Sequence, residues 1–367
     1  MKRSKSKGGH QVRLRNKCGT CYILRANNLL RDPKADKRLT QLISQRIEAT
    51  PFKWCLYLEE KISISGILLR KLISRWSPDG GGFRVGTRVI HFTPLDVCFA
   101  LGLCISGEPV ERNEEAESQT RALFVDDRIT LEVIYENLEL CMNEGRVDDF
   151  CRLYIILAFA DFYFPNTSDF VNMSMFRLLD ELDSLHRYNW GMAVHDNLVF
   201  SLNRAAKNFN ESKNSEDLWV SGCVAVLQVW AVEHLQMRPT NTMHHIKFPR
   251  VLSKVHLGIK KRLITCAFDI NNVQENLVIS NEDRDYDVLR EALALTKDGF
   301  CEIPNPSFVV EGCHCGYQVL EEENRQLKEQ VVRLEKDVVF IKEILREQGL
   351  CNILMIKLHQ NYLENLP

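Results

Sequence analysis

The chain has 367 residues, of which 45% are hydrophobic and 26% are charged, a composition typical of folded globular proteins. Its formal net charge of -2 provides no global attraction to nucleic acid or to acidic membranes. Any such attraction must therefore come from a local concentration of charge.

Positive charge is concentrated at the start of the chain. The first 17 residues contain seven Lys or Arg and no acid, and no apolar segment follows, so we expect no secretory signal. We predict a flexible basic arm over residues 1–38. It would bind phosphates or act as a nuclear import signal, and the alternative is a solvated tail without a special role. The predicted nucleic-acid contacts are Lys2, Arg3, Lys5, Lys7, Arg13, Arg15 and Lys17.

Helical patterns dominate residues 39–237, which we predict to form one mostly α-helical domain. A first helix has apolar residues on one face, and a second runs from Ile62 to Trp76, before the turn sequence SPDGGG. Further helices are predicted near residues 129–143, 149–163, 172–186, 190–208 and 217–237. Trp190 and Trp230 begin or lie within apolar stripes of the last two, so we predict that both are buried in one helical core. The apolar face of the first helix consists of Leu39, Leu42, Ile43 and Ile47.

A short β element and a capped helix interrupt this succession. The segment FRVGTRVIHF has two β-type runs about Gly86 and predicts a hairpin. In TPLDVCFALG, Thr93 is expected to cap a helix that begins at Pro94 and stops at Gly102. Asp96 stands at the third helical position, where a carboxylate completes a capping box.

The end of the chain predicts a coiled coil over residues 316–348, after a partly ordered tether or domain edge at 238–315 and before a tail at 349–367. Leucine at d and valine at a favour two parallel strands, and Asn324 at a fixes the register. The alternative is a long helix packed on its own domain. We therefore expect self-association, or pairing with a related chain, through Leu320, Asn324, Leu327, Val331, Leu334, Val338, Ile341 and Leu345.

Catalytic patterns are weak throughout the sequence. His195 and Asp196 are neighbours on a predicted helix, so we expect them to point about 100° apart and His195 to have a packing or hydrogen-bonding role. Cys223 and His234 lie eleven residues apart, about 16 Å along a helix, and cannot touch. We expect no cofactor and no catalytic residue.

Thirteen cysteines are scattered through apolar segments and are expected to be reduced core residues. Two short groups could each supply half of a zinc site, because thiolates at close spacing can share one ion. They are Cys18 with Cys21, and Cys313 with His314 and Cys315. Because nearly the whole chain separates them, we predict no metal site.

Four segments in order resemble the plant mobile domain, also called the aminotransferase-like plant mobile domain, over about residues 52–237. They are FRVGTRVIHFTPLDVCFALGLCISGEPV, LYIILAFADFYFPNT, YNWGMAVHDNLVFSLNRA and VSGCVAVLQVWAVEHL. They are similar also to the related transposon-derived domain found ahead of SUMO-protease-like domains. The name implies no transaminase activity, since neither a Schiff-base lysine nor a phosphate cradle can be placed.

The resemblance implies a plant protein of transposon-derived origin that acts in the nucleus, through protein contacts, in genome or transposon silencing or in developmental regulation. We therefore expect a non-enzymatic binding or scaffold protein, nuclear or otherwise cytoplasmic, without a membrane partner. One alternative is a cryptic or degenerate hydrolase or nuclease, whose carboxylates would have to converge in one concave pocket. Another is an unselected transposon remnant.

Overall fold

The computed structural model describes residues 14–112, 117–126, 128–168, 170–211, 218–237, 248–253, 259, 264, 266–268 and 273–296, without the side chains of 210 and 211. The chain divides into two compact units, Met1–Ile303 and Pro304–Pro367. All described residues belong to the first unit. The second contains the predicted coiled coil, all eight of whose seam positions lie outside the described residues.

The first unit is mostly helical with a small antiparallel sheet. Its α-helices are α1 (Cys21–Arg31), α2 (Lys37–Glu48), α3 (Gly66–Ile73), α4 (Pro94–Leu101), α5 (Leu131–Glu144), α6 (Val147–Ala158), α7 (Trp190–Glu211), α8 (Val224–His234) and α9 (Asp287–Leu295). Its strands are β1 (Leu14–Arg15), β2 (Trp76–Ser77), β3 (Gly82–Val85), β4 (Arg88–His91) and β5 (Leu218–Trp219). A π-helical turn, Phe159–Tyr163, continues α6.

Two helices form the centre of this unit. Helix α6 is buried from Phe150 to Ala158, except for Arg152, and packs against α1, α2 and α5. Helix α8 is buried on all sides and packs against α3 and α4. The prediction that Trp190 and Trp230 are buried is confirmed, since they are 0% and 1% exposed.

The hairpin and the capped helix are confirmed. Strands β3 and β4 pair antiparallel, and β2 adds a third strand through the pairing of Trp76 with Phe83. Thr93 and Asp96 form the capping box of α4, and Gly102 ends the helix in the left-handed conformation at φ 69°. A turn, a cap and a stop are local signals, which the sequence contains in full.

The second predicted helix is shorter than expected. It begins at Gly66, where the Ser65 hydroxyl accepts a hydrogen bond from the Leu68 backbone N–H at 3.4 Å. The residues before it are extended, because their N–H groups bond distant side chains. Ile62 donates to the Thr20 hydroxyl at 3.1 Å, and Ser65 donates to the Gln228 side-chain oxygen at 2.9 Å.

The helix predicted near residues 172–186 is wrong, since two 3₁₀ turns, Phe176–Leu179 and Leu182–Arg187, occupy the segment. The Arg152 guanidinium bonds the carbonyls of Leu179 and Asp180 at 3.2 and 3.1 Å. The Asp180 carboxylate accepts the Thr120 N–H at 2.8 Å. The two Arg152 bonds occupy backbone carbonyls that a continuous α-helix would use internally, and the Asp180 side chain fixes the segment to Thr120.

The predicted flexible arm is wrong from residue 14 onward; residues 1–13 lie outside the described part of the chain. Strand β1 pairs in parallel with β5, and α1 buries Ile23 and Ala26 completely. In the sequence, only the apolar face of α1 indicates that this region is folded. The pairing of β1 cannot be read from the sequence, because its partner strand β5 lies 204 residues further along the chain. The basic residues before α1 have the composition of a flexible arm, although the folded unit begins among them.

The folded unit also continues beyond the predicted boundary at residue 237. Phe248, Leu289 and Ala292 form a small second core with Cys98 and Phe99 of α4. The last predicted helix is likewise shorter than expected, because Gly222 has a φ of 86° and α8 starts only after it. Within the described residues, no helix is long and apolar enough to cross a membrane.

Candidate binding pocket and buried histidines

A half-open pocket of about 440 Å³ lies where the start of α5, the end of α6 and the chain segment after α6 meet the N-terminal residues. Its lining is mostly apolar, and its polar side chains include one carboxylate, Glu132. The apolar lining residues are Leu131, Ile156, Phe159, Ala160, Phe164, Phe170, Val171, Met175 and Phe176. The polar ones are Lys17, Tyr22, Thr130, Glu132, Asn166, Ser168 and Asn172.

The π-helical turn at the end of α6 fixes the position of α1 beside the pocket. Asp161, in this turn, accepts hydrogen bonds from the backbone N–H groups of Tyr22 at 2.8 Å and Ile23 at 3.4 Å. The Gly19 N–H donates to the Asp161 carbonyl at 2.7 Å. Burial raises the pKa of Asp161, although the two N–H donors oppose that shift. The cap therefore holds Lys17 and Tyr22 at the pocket.

Glu132 is fully engaged by its neighbours. Arg25 donates to both of its oxygens, at 2.8 and 3.0 Å, and the Tyr22 hydroxyl donates at 2.9 Å. The bond from Arg25, followed by that from Tyr22, lowers the pKa of Glu132. The carboxylate therefore stays ionised at neutral pH, which suits it to structural bonding and makes it a poor proton donor.

Hydrogen bonds also hold the opposite wall of the pocket. The Lys17 ammonium donates to the Ser168 carbonyl at 2.7 Å, and the Asn166 amide donates to the Phe170 carbonyl at 3.0 Å. The Val171 N–H donates to the Ile129 carbonyl at 2.8 Å, which ties this segment to the start of α5. The wall is thus bonded in place around the cavity.

His195 bonds Asp196, so the expectation that these neighbours cannot meet is wrong. Nδ1 of His195 lies 3.0 Å from Oδ1 of Asp196, because rotation of the two side chains compensates for the divergence of their Cβ directions. Nε2 lies 3.2 Å from the Phe92 carbonyl oxygen, and the ring stacks on Phe92. Both ring nitrogens therefore have partners within the fold, which agrees with a packing and hydrogen-bonding role.

A second pair, which no sequence pattern indicated, joins His234 of α8 to Asp96 of α4. Nε2 of His234 lies 2.8 Å from Oδ1 of Asp96, and Nδ1 lies 2.7 Å from the Gln274 carbonyl oxygen. Burial alone lowers the pKa of His234, but the charge and hydrogen bond of Asp96 outweigh it, and the net pKa is raised. Since both partners are acceptors, the geometry fits an imidazolium.

A second buried ionic group contains Arg250. Arg250 donates to both oxygens of Asp283, at 2.9 and 2.6 Å, and its guanidinium lies 4.2 Å from the centre of the Phe99 ring. Burial raises the pKa of Asp283. The hydrogen bonds that its carboxylate accepts, first of all that from Arg250, lower the pKa by more, so the net pKa lies below its usual value. The group attaches residues after 248 to α4. A charged residue in an irregular segment gave no sequence signal for it.

Of the seven predicted nucleic-acid contacts, Arg15 and Lys17 lie within the described residues. The Arg15 guanidinium lies 5.3 Å from the centre of the Trp219 ring, and Lys17 lines the pocket. The Cys18 thiol points inward, 3.7 Å from the Phe162 carbonyl oxygen, whereas Cys21 is exposed. Cys313, His314 and Cys315 lie outside the described residues.

Cys223 is completely buried at the start of α8, and His234 ends the same helix. Burial raises the pKa of the Cys223 thiol well above its usual value. A thiol in such a setting is a poor nucleophile, because the thiolate is the reactive form.

Comparison with known proteins identifies relatives of this chain. It is similar to Arabidopsis thaliana Protein MAINTENANCE OF MERISTEMS, 24% identical over 232 residues, which cover 59% of this chain and 46% of that protein. It is similar to Protein MAIN-LIKE 1 of the same species at 23% identity, over 48% of this chain and 37% of that protein. It is also similar to Protein MAIN-LIKE 2 at 25% identity, over 52% of this chain and 30% of that protein. The chain thus spans less than half the length of each relative.

These relatives carry plant mobile domains, so the resemblance found in the sequence is confirmed. No solved structure matches the chain. The sequence model of a family described as Domain of unknown function (DUF8566) matches residues 34–228, which is more than half of the chain. The match includes α2 to α7 and the first part of α8. The chain therefore belongs to the DUF8566 family and is a relative of the plant mobile domain proteins.

Proposed function

We propose that this chain is a non-enzymatic binding or scaffold protein of transposon-derived origin, acting in the plant nucleus in development or in genome and transposon silencing. Its relatives are consistent with a developmental or transposon-derived role. The name of one of them, MAINTENANCE OF MERISTEMS, refers to development, and we extend that role to this chain as part of the proposal.

The observation that carries the proposal is the pocket. Its floor is apolar, its opposite wall is hydrogen-bonded in place, and the carboxylate of Glu132 in its lining is ionised and engaged by Arg25 and Tyr22. Largely preformed apolar cavities with a few polar groups are typical of binding sites. The paired ring nitrogens of His195 and His234 add support, because general acid–base catalysis needs a nitrogen that can reach the reacting group.

The partners of the chain are part of the same proposal. Self-association, or pairing with a related chain, would use the seam at residues 316–348, and the basic residues before α1 would add non-specific affinity for nucleic acid. With Arg15 over Trp219 and Lys17 at the pocket, the last cations of that segment are fixed on the folded unit.

Affinity purification from plant nuclei tests the proposal, with both proteins and nucleic acids identified in the captured material. We expect reproducible partners and no turnover when the purified chain is assayed with ester, peptide and nucleic-acid substrates. A reproducible hydrolytic activity that is lost in His195→Gln, with the fold retained by circular dichroism, would contradict the proposal and favour the hydrolase or nuclease alternative. Absence of any partner in repeated purifications would also contradict it.

A further inference from the structure

We infer that the pocket binds a small, neutral and largely apolar organic molecule with an aromatic or fused-ring body. This inference rests on the proposed binding function and adds the chemical class of the ligand. The ligand's rings would lie against the floor at the end of α6. Two features of the lining carry the inference: its apolar floor is already in place, and its polar side chains are already hydrogen-bonded.

The size of the cavity fits such a molecule. A volume of about 440 Å³ falls within the range of sites for small organic ligands. A water molecule occupies only about 30 Å³ of the liquid, so the cavity far exceeds the space of one solvent molecule. The cavity is half open, so a ligand can enter without unfolding of the wall. The site is therefore of the right size for an organic ligand rather than for a bare ion.

The floor offers apolar contacts that the fold already holds in place. Phe159, Met175 and Phe176 line it and are 4%, 4% and 3% exposed. The ring of Phe159 packs edge-on against Phe52 with 4.9 Å between the ring centres, and Phe176 lies 5.8 Å from Phe124. Aromatic rings and the methionine thioether favour contact with a further ring. Because these side chains need no rearrangement, a ligand with rings spends little free energy on ordering its site.

Among the described residues that line the pocket, each polar side chain makes a hydrogen bond within the fold. The Asn172 Oδ1 accepts the Ser174 N–H at 2.8 Å, and the Thr130 hydroxyl accepts the Val133 N–H at 3.3 Å. The other polar side chains bond the wall or the start of α5 in the same way. The complete set is Lys17, Tyr22, Thr130, Glu132, Asn166, Ser168 and Asn172.

These bonded groups disfavour a polar or charged ligand. Such a ligand loses hydrogen bonds to water when it enters the pocket, and a lining whose groups are already bonded returns few of them. The charged side chains of the described lining, Lys17 and Glu132, are opposite in sign and both bonded within the fold. A neutral apolar body loses no such bonds and gains free energy when it leaves water. The lining therefore favours a neutral ligand over an ion of either sign.

Isothermal titration calorimetry of the full chain with three probes of the same shape tests the inference. The probes are neutral 2-acetylnaphthalene, anionic 2-naphthoate and cationic 1-(2-naphthyl)ethylamine. We expect the ketone to bind at one site per chain, and each ion to bind about tenfold more weakly or worse. An ion that binds as tightly as the ketone would overturn the neutral assignment, and failure of the ketone to bind would overturn the ligand class.

A variant that fills the cavity locates the site. Ala160→Trp, in the lining, should weaken the binding of 2-acetylnaphthalene by about tenfold or more, because the indole takes the space of the ligand. Ala294→Trp, at an exposed position of α9 outside the lining, is the matched control and should leave the affinity unchanged. Unchanged binding by a folded Ala160→Trp protein would place the site elsewhere and contradict the inference.

Photolabelling of the wild-type chain locates the site without a variant. Benzophenone is neutral and aromatic, and under near-ultraviolet light its carbonyl carbon bonds to nearby C–H groups. We expect adducts on lining residues such as Leu131 and Met175, and we expect an excess of 2-acetylnaphthalene to suppress them. Mass spectrometry of the digested protein identifies the labelled residues. Adducts confined to residues outside the lining would overturn the inference, whatever the behaviour of the variant.

A further probe separates a small apolar molecule from the side chain of a partner protein. N-acetyl-tryptophanamide presents a fused ring on a neutral peptide backbone, whose amides would lose water without gaining partners in the lining. We expect it to bind more weakly than the ketone, and equal or tighter binding would overturn the small-molecule assignment. If nuclear partners are captured while the ketone does not bind, the ligand class fails and the proposed function stands. If the ketone binds and no partner is captured, the ligand class stands and the proposed scaffold function fails.

Discussion

Asp161 connects two segments that lie 139 residues apart, because its carboxylate accepts the first N–H groups of α1. His234 does the same for α4 and α8 through Asp96. In both cases an ionisable side chain satisfies groups that would otherwise be buried without hydrogen bonds, a situation that costs free energy. At the scale of residues, the interior of this protein uses its charged groups to join distant elements.

The hydrogen bonds that Asp161 accepts from the start of α1 should contribute measurably to the stability of the fold. Asp161→Ala removes the acceptor for two N–H groups and should lower the free energy of unfolding by about 1–3 kcal/mol in urea titrations. Asp161→Asn is the control, because both N–H groups donate to the same oxygen, Oδ2, and an amide oxygen at that position can still accept them. An Asn variant as unstable as the Ala variant would show that the cap contributes little.

The His234 pair predicts a pH dependence. The pKa of His234 is raised in the folded state. The pair therefore contributes its full stabilisation below the pKa of the unfolded chain, about 6.5, and loses it as the pH rises through the pKa of the folded state. His234→Gln should cost about 3 kcal/mol or more at low pH, because it leaves Asp96 buried without its cation. Urea unfolding of both proteins from about pH 6 to 9 measures the difference. A difference that stays constant with pH would refute the charged pair.

Two helices end in the same backbone conformation but in different surroundings. Gly102 after α4 and Gly145 after α5 have φ values of 69° and 71°. A Cβ on Gly102 would lie 2.3 Å from the indole nitrogen of Trp54, whereas a Cβ on Gly145 would meet nothing within 4 Å. Gly102 therefore has a second role at the end of α4, because it leaves space for the Trp54 ring.

This contrast predicts unequal effects of one substitution. Gly145→Ala should cost about 1–2 kcal/mol, the strain of a left-handed residue with a side chain. Gly102→Ala should cost a further ~1–3 kcal/mol, because Trp54 must move and loses its bond to the Gly102 carbonyl. Thermal and urea unfolding of the two variants provide the comparison. Equal losses would mean that Trp54 adapts without cost.

The whole molecule combines a helical unit with a segment whose sequence predicts a parallel coiled coil. A seam of leucine and isoleucine at d positions, exposed on a monomer, would favour aggregation, so a partner chain is expected. Self-association would present two copies of the pocket in one assembly. This arrangement is typical of scaffold proteins that gain avidity from paired weak sites.

Sedimentation equilibrium of the full chain tests this prediction. We expect a dimer at tens of micromolar, and we expect Leu327→Glu combined with Leu334→Glu to abolish association by placing charges in the seam. Asn324→Val should raise stability while it loosens the oligomeric state. A wild-type monomer, or an antiparallel pair found by cross-linking, would contradict the prediction; pairing with a related chain would keep the seam and change the partner.

Features that depend on near neighbours can be predicted from the sequence alone. The hairpin about Gly86, the capping box of Thr93 and Asp96, the stop at Gly102 and the burial of Trp190 were all predicted correctly. Each follows from turn chemistry, capping or helical periodicity, which act over a few residues. The family resemblance also rests on these ordered local patterns.

Which distant groups meet depends on how the helices pack. The pocket combines Lys17, Glu132 and Phe176, and the buried pair joins Asp96 to His234, 138 residues apart. Likewise, the Arg152 bonds replace a predicted helix with 3₁₀ turns. Local periodicity carries no information about such contacts, because the energy of a long-range hydrogen bond depends on how whole helices pack.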